Sequence, residues 1–91
     1  MVRITFDPSK RERTLRERGI DFALAEVVFA GRTFDQEDDR HEYGEVRIIT
    51  VGRLDGRMMV VVWTPRDGAR HVISMRKANE REQARYAVRL D

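Results

Sequence analysis

The chain contains no cysteine, which removes disulfides, thiolate metal sites and cysteine nucleophiles and leaves the redox compartment open. It has only two histidines, His41 and His71, too few for a histidine-rich zinc site, and no metal or other cofactor is expected. No apolar run approaches the roughly 20 residues needed to cross a bilayer, and the N-terminus lacks the apolar core of a secretory signal, so a cytoplasmic protein without membrane contact is expected. Low-complexity tracts, repeats and linker-like stretches are missing as well. With 91 residues the chain is expected to form one domain, 1–91. A chain of this size buries only roughly 60–70% of its unfolded surface, so a deep internal substrate cavity is not expected. A protein partner would add to its stability.

What the chain has in abundance is charge. Charged residues make up 37% of it, yet the apolar residues fall into compact periodic runs, which separates it from a disordered polyelectrolyte. The formal net charge of +2 hides an asymmetry. Asp35, Glu37, Asp38, Asp39, Glu42 and Glu45 crowd into residues 35–45 with Arg40 as the only base, and basic residues dominate both ends. A polyanion such as RNA would be drawn to the basic remainder; a salt-tolerant solvated surface would have the same composition.

The local signals describe an α+β fold. Arg3–Phe6 suggests a short strand, Asp7 an N-cap with Pro8 at the first helical position, and Gly19 a left-handed stop. In a Schellman arrangement Ile20 would fold back on Leu15. Asp21 can cap a second helix whose Phe22, Ala25, Val28 and Phe29 share one stripe, ending near Gly31. Residues 33–37 make a weak strand, and the acidic stretch through Tyr43 and Gly44 reads as a loop.

From Glu45 onward the hydrophobic period changes to two, and Asp55-Gly56 and Asp67-Gly68 are hairpin signals. Three antiparallel strands are expected near 45–54, 57–65 and 69–76. Two-residue type I′ turns would group Ile49, Val51, Val60, Val62, Ile73 and Met75 on one apolar face, the expected core face, with any bulge shifting the register. The opposite, mixed face would hold Ile48, Trp63 and Val72, then Thr50, Val61 and Ser74, then Gly52, Met59 and Arg76, with Arg70 beyond the tryptophan. A last helix, about Lys77–Leu90, aligns Ala78, Tyr86 and Leu90 in an apolar stripe that Glu82 interrupts.

Four groups could carry chemistry. Arg76 and Lys77, where the last strand meets the last helix, would sit beside helix N-terminal amides and could clamp a phosphate; alternatively Arg76 pairs with Glu82 in a structural ion pair. Trp63 beside strand arginines could stack an unpaired base or simply fill the core, and Arg66 at a hairpin tip is a phosphate contact or a solvated turn residue. Glu45, Arg47 and His71 converge on one face around Thr64, where a histidine could pass a proton, a carboxylate orient it and an arginine stabilise a phosphorane; His71 could instead only satisfy the core edge. The run Glu37, Asp38, Asp39 and Glu42 could hold divalent metal, but it lacks EF-hand spacing and suits a solvated loop or a docking site for a basic segment.

Read together, Ile4-Thr5-Phe6-Asp7-Pro8 with Lys10, Arg18-Gly19-Ile20 with Phe22 and Ala25, Val28-Phe29, Asp39-Arg40 followed by Tyr43-Gly44-Glu45 and Arg47, Gly52, Val60–Val62, Arg66-Asp67-Gly68, and Ile73-Ser74 with Arg76-Lys77-Ala78, Glu82 and Tyr86 resemble the BrnT toxins of BrnT/BrnA toxin–antitoxin systems. The resemblance implies a RelE-like fold, in which two N-terminal helices and a C-terminal helix pack on a small antiparallel sheet. It also implies metal-independent RNA cleavage by ribose 2′-OH attack on the neighbouring phosphate, growth arrest, and a neutralising BrnA-type antitoxin that supplies the DNA contacts of the complex. The residues expected to take part in catalysis are Arg66, Arg76, Lys77, His71 and Glu45, and those expected to bind substrate are Arg47, Arg70, Trp63 and Tyr86. A rival reading is a non-catalytic nucleic-acid- or partner-binding module using the same basic surface.

Overall fold

The computed structural model describes residues 3–39 and 44–91. Arg40 to Tyr43, and with them Glu42 of the acidic run, lie outside the described residues. The element order is β1 (Ile4–Phe6), α1 (Pro8–Arg18), a 3-10 turn (Phe22–Leu24) leading into α2 (Ala25–Ala30), β2 (Phe34–Glu37), β3 (Ile48–Leu54), β4 (Arg57–Arg66), β5 (Ala69–Lys77) and α3 (Glu80–Leu90). The α+β expectation with two early helices and one late helix holds.

The helix boundaries follow from local chemistry. The Asp7 carboxylate accepts from the Ser9 amide at 2.9 Å, Pro8 opens α1, and Gly19 closes it at φ 67° with its amide donating to the Leu15 carbonyl at 2.9 Å. Ile20 then turns into the core while Leu15 stays 45% exposed. Asp21 caps the 3-10 turn through the Ala23 amide and is gripped by Arg11 through two hydrogen bonds of 2.7 and 3.0 Å. That pair ties α1 to the turn.

The five strands form one sheet in the order β1-β5-β4-β3-β2. It is mixed, not purely antiparallel as expected: β1 adds to the free edge of β5 in parallel, which the long connection between them permits. Both tight turns have the expected type I′ signature, with positive φ at Asp55 and Gly56 and at Asp67 and Gly68. The β3–β4 register starts from its turn as expected, Leu54 opposite Arg57 through Ile48 opposite Trp63.

The β4–β5 register does not run straight. It follows the turn from Arg66 opposite Ala69 to Trp63 opposite Val72, and then a bulge leaves Ile73 unmatched, so that Ser74 faces Val62, Met75 faces Val61 and Arg76 faces Val60. One extra residue exchanges the faces of everything beyond it. Met75 therefore joins the face expected to be mixed, and Ser74 and Arg76 leave it.

Both sheet faces consequently carry core. On one, the α2 face, Phe22, Ala25 and Val28 pack on Met59, Val61, Trp63, Val72 and Met75. On the other, the α3 face, Tyr86, Leu90 and Ala78 cover Val51, Met58 and Val60, with Phe34 and Ile49 alongside. The expectation of a single core face is corrected: the face read as mixed is sealed by the early helices, and the apolar block of β3 and β4 lies under α3. Each fully buried aliphatic side chain contributes on the order of 1.5–3 kcal/mol, so neither cluster is dispensable.

Strand β5 continues to Lys77, and α3 starts only at Glu80 behind Asn79, later than the expected Lys77. Asn79 and Glu82 form a reciprocal capping box, the Glu82 amide donating to Asn79 Oδ1 at 2.8 Å and the Asn79 amide to Glu82 Oε1 at 2.9 Å. The polar interruption in the helix stripe is thus a cap.

Candidate active site

Helix α3 covers only part of its sheet face. Beyond its reach, the same face carries a row of polar side chains running across the strands: half-buried Thr5 on β1, half-buried His71 on β5 and fully buried Thr64 on β4 are neighbours in register, and Arg47 precedes β3 at the end of the row. The Thr64 hydroxyl donates to the Val46 carbonyl at 2.6 Å, which pins the approach to β3 against β4. The bulge brings Ser74 and Arg76 onto this face too.

His71 sits inside a defined electrostatic frame. Its Nδ1 lies 2.8 Å from Thr5 Oγ1. Burial, followed by the nearby Arg66 charge, pushes its pKa below the ordinary 6.5, against a smaller opposing pull from Glu45; Lys10 lowers it further. The neutral ring is therefore the favoured form near pH 7. With Nδ1 protonated and donating to Thr5, Nε2 presents a lone pair, the state a general base needs.

Glu45 stands between two guanidinium groups, Arg66 at 3.4 Å and Arg47 at 3.9 Å. The pairs are long and part-exposed, so they organise the two cations more than they stabilise the fold. Two arginines sharing one carboxylate, with Arg66 close enough to act on the neutral-leaning His71, can bind a phosphodiester and stabilise added charge on it.

Between this face and α1 lies a cleft of about 390 Å³, lined by Lys10, Arg13, Thr14, Glu17 and Arg18 of α1, by Phe22, and by Arg47, Val62, Ile73 and Ser74 on the sheet side. Helix α1 buries none of its side chains. A helix that is polar all round yet borders a sheet leaves a hydrophilic gap.

A family model for BrnT, the ribonuclease toxin of type II toxin–antitoxin systems, matches residues 6–82. The chain belongs to the BrnT family. No curated protein gives a significant match. As a BrnT-family ribonuclease toxin it acts on RNA and has an antitoxin as its partner. Among the described residues no helix is long and apolar enough to cross a membrane, and no three potential metal ligands cluster.

Of the residues expected to serve a site, Glu45 draws Arg47 and Arg66 together, and Arg66 and Glu45 act on His71. Arg76 shares their face, but its guanidinium is bound fork-to-fork by Glu82 at 2.7 and 2.8 Å, which holds the Glu82 carboxyl down at about 2. The pairing weighed against a phosphate clamp is the one observed, and the Glu82 amide at the helix start is taken up by Asn79. Lys77 is corrected as well: opposite Met59 it belongs to the α2 face.

Trp63, Arg70 and Tyr86 also lie elsewhere. Trp63 is 8% exposed, packs edge-on against Phe29 at 5.8 Å and donates from Nε1 to Thr50 at 2.8 Å, so its ring is core and offers no base platform. Arg70 lies over Phe29 at 4.4 Å and Trp63 at 5.2 Å, capping that same core. Tyr86 is buried against Phe34 beneath α3. Thr5, Lys10, Arg13, Arg18 and Ser74 were missed as site residues. The signal for the α1 cations was present in the sequence: basic residues at 10, 13 and 18 occur on a helix whose only large aliphatic residue is Leu15.

Proposed function

We propose that this protein cleaves RNA without a metal ion at the Arg47–Glu45–Arg66–His71 cluster. The observation that carries the reading is a neutral-leaning histidine hydrogen-bonded through Nδ1 to Thr5 and influenced by Arg66, which shares the Glu45 carboxylate with Arg47. His71 Nε2 takes the proton of a ribose 2′-OH, the 2′ oxygen bonds to the adjacent phosphorus, and the bond from phosphorus to the 5′ oxygen breaks. The leaving oxygen takes a proton from solvent, giving a 2′,3′-cyclic phosphate and a 5′-hydroxyl end. Arg47 and Arg66 offset the charge of the phosphorane, the task a metal would otherwise perform, and four cations along the adjoining surface would repel a divalent ion. Arg76 acts as a positioning residue through Glu82. Two early helices and a late helix on a small sheet support a RelE-like fold, and the family supports a BrnA-type antitoxin as the neutralising partner and as the source of DNA contacts, with the toxin resident in the cytoplasm.

The test is incubation of purified protein with end-labelled RNA, with and without chelator. Cut RNA carrying cyclic phosphate ends in both conditions is expected. Cleavage abolished by chelator overturns the metal-free reading; RNA bound but intact in a folded, antitoxin-free sample overturns the catalytic one.

A further inference from the structure

The α1 cleft has chemistry that the cleavage cluster does not use. Its lining sets Lys10, Arg13, Arg18 and Arg47 against a single carboxylate, Glu17. Lys10 and Arg13 enter no ion pair with the described residues, whereas neighbouring Arg11, which does not line the cleft, is committed to Asp21. Arg18 reaches the Met75 carbonyl on β5 at 3.4 Å, fastening the end of α1 to the sheet beside the gap. A helix of this length with no buried side chain gains little from packing. Lining a sheet face with its cations has a cost in mutual repulsion that an anion would relieve.

The volume, about 390 Å³, lies within the range of about 300–1,000 Å³ typical of sites for small organic groups. Arg47 belongs to both places: it ends the His71 row and lines the cleft. Whatever enters the cleft therefore continues toward the cleavage cluster. An extended polyanion with regularly spaced charges fits such a path better than an isolated phosphate.

We propose that the cleft between α1 and the sheet is a second phosphate-binding site, holding the sugar-phosphate backbone of single-stranded RNA next to the linkage that is cut. This rests on the ribonuclease reading for its ligand, but not on the identity of the base. Lys10, Arg13 and Arg18 bind phosphate oxygens, and Arg47 hands the strand from the binding track to the reacting linkage. Strand length beyond the cut linkage then contributes affinity.

The experiment measures binding of a fully 2′-O-methylated single-stranded RNA of roughly 12 nucleotides. Such a strand has no free 2′-OH and cannot be cut. Affinities are taken across a salt series for the wild type, the double variant K10A/R13A and, as a control outside the cleft, R16A. Loss of two phosphate contacts lowers the slope of log affinity against log salt by about 1.4, since each contact on a single strand contributes about 0.7. The expected result is that reduction for K10A/R13A, with a slope close to wild type for R16A. An unchanged slope for K10A/R13A, an equal loss in R16A, or no measurable wild-type binding overturns the proposal. So does an unchanged RNA slope combined with weakened antitoxin binding, which would make the cleft a protein-docking groove. His71→Ala separates the two readings: intact binding with lost cleavage supports both, while retained cleavage removes His71 as the base and leaves the cleft standing.

Discussion

The two faces of the sheet are made from the same five strands and do opposite work. The α2 face is closed: Phe22, Ala25 and Val28 fill against Val61, Val72 and Met75, and a Cβ on Gly52 would come within 2.7 Å of Val28 Cγ1. The α3 face is divided between an apolar half under Tyr86 and Leu90 and a polar half where Thr5, His71, Ser74 and Arg47 meet solvent beside α1. The lesson is that a chain this small cannot afford a separate scaffold for its site. One face holds the sheet rigid so that the other can carry charge.

Substitutions on the two faces should separate activity from stability. The largest effect is expected from His71→Ala, which lowers RNA cleavage by about 10²–10⁴-fold as lost general-base catalysis, with little change in melting temperature. A comparable loss of folding would mean that His71 only completes the core edge. In the wild type, cleavage should fall as pH drops through the His71 pKa, which lies below 6.5, because only the neutral ring accepts a proton. Stability moves the same way: the folded state disfavours the charged ring, so it is destabilised as pH falls below the unfolded value of 6.5.

Adjacent residues across the bulge provide the next contrast. Met75→Ala removes a fully buried side chain and should cost about 2–5 kcal/mol in denaturant unfolding, whereas Ser74→Ala, on the polar half, should cost no more than about 0.5 kcal/mol. Similar costs for both would refute the observed register.

Gly52→Ala should destabilise by about 1–3 kcal/mol, since the β-branched Val28 and the Thr33 methyl at 3.1 Å leave little room, and thermal unfolding reads this directly. A neutral outcome would show that α2 can lift from the sheet at little cost.

A modest effect belongs to the boundary between the halves. Glu82→Gln, which keeps some capping but loses the charge on Arg76, should cost about 1 kcal/mol at neutral pH, the part-exposed pair being screened by solvent. Because the folded Glu82 has a pKa of about 2 against an ordinary 4.5, its contribution is complete above about 4.5 and is lost as pH falls toward 2. The variant and wild type should therefore converge in stability at the acid end. A difference that persists there would assign the effect to packing.

Much of the architecture is local and was legible. Asp7 with Pro8, Gly19, Asp21 and the two Asp-Gly turns act within a few residues, so their caps and positive φ angles could be read directly, and with them the helix starts and the β3–β4 register. The convergence of Glu45, Arg47 and His71 about Thr64 was legible because the register set at each turn runs unbroken to Ile48 opposite Trp63 and to Thr64 opposite His71. The capping role of Glu82 is less visible because the helical period extends back to Lys77 and hides Asn79 as the cap.

By itself, the sequence determined which elements form, where they turn, that no cysteine chemistry is possible, and that basic and acidic residues segregate along the chain. Only the tertiary structure decided which side of the sheet each of those residues faces. A strand reverses its sides with every residue, so the unmatched Ile73 sends Met75 into the core and Ser74 and Arg76 toward the site, and a single unpaired residue leaves no periodic signal. The α1 cleft is likewise a matter of tertiary placement: cations spaced along an isolated helix are only a solvated surface until a sheet face carrying Arg47 closes against them.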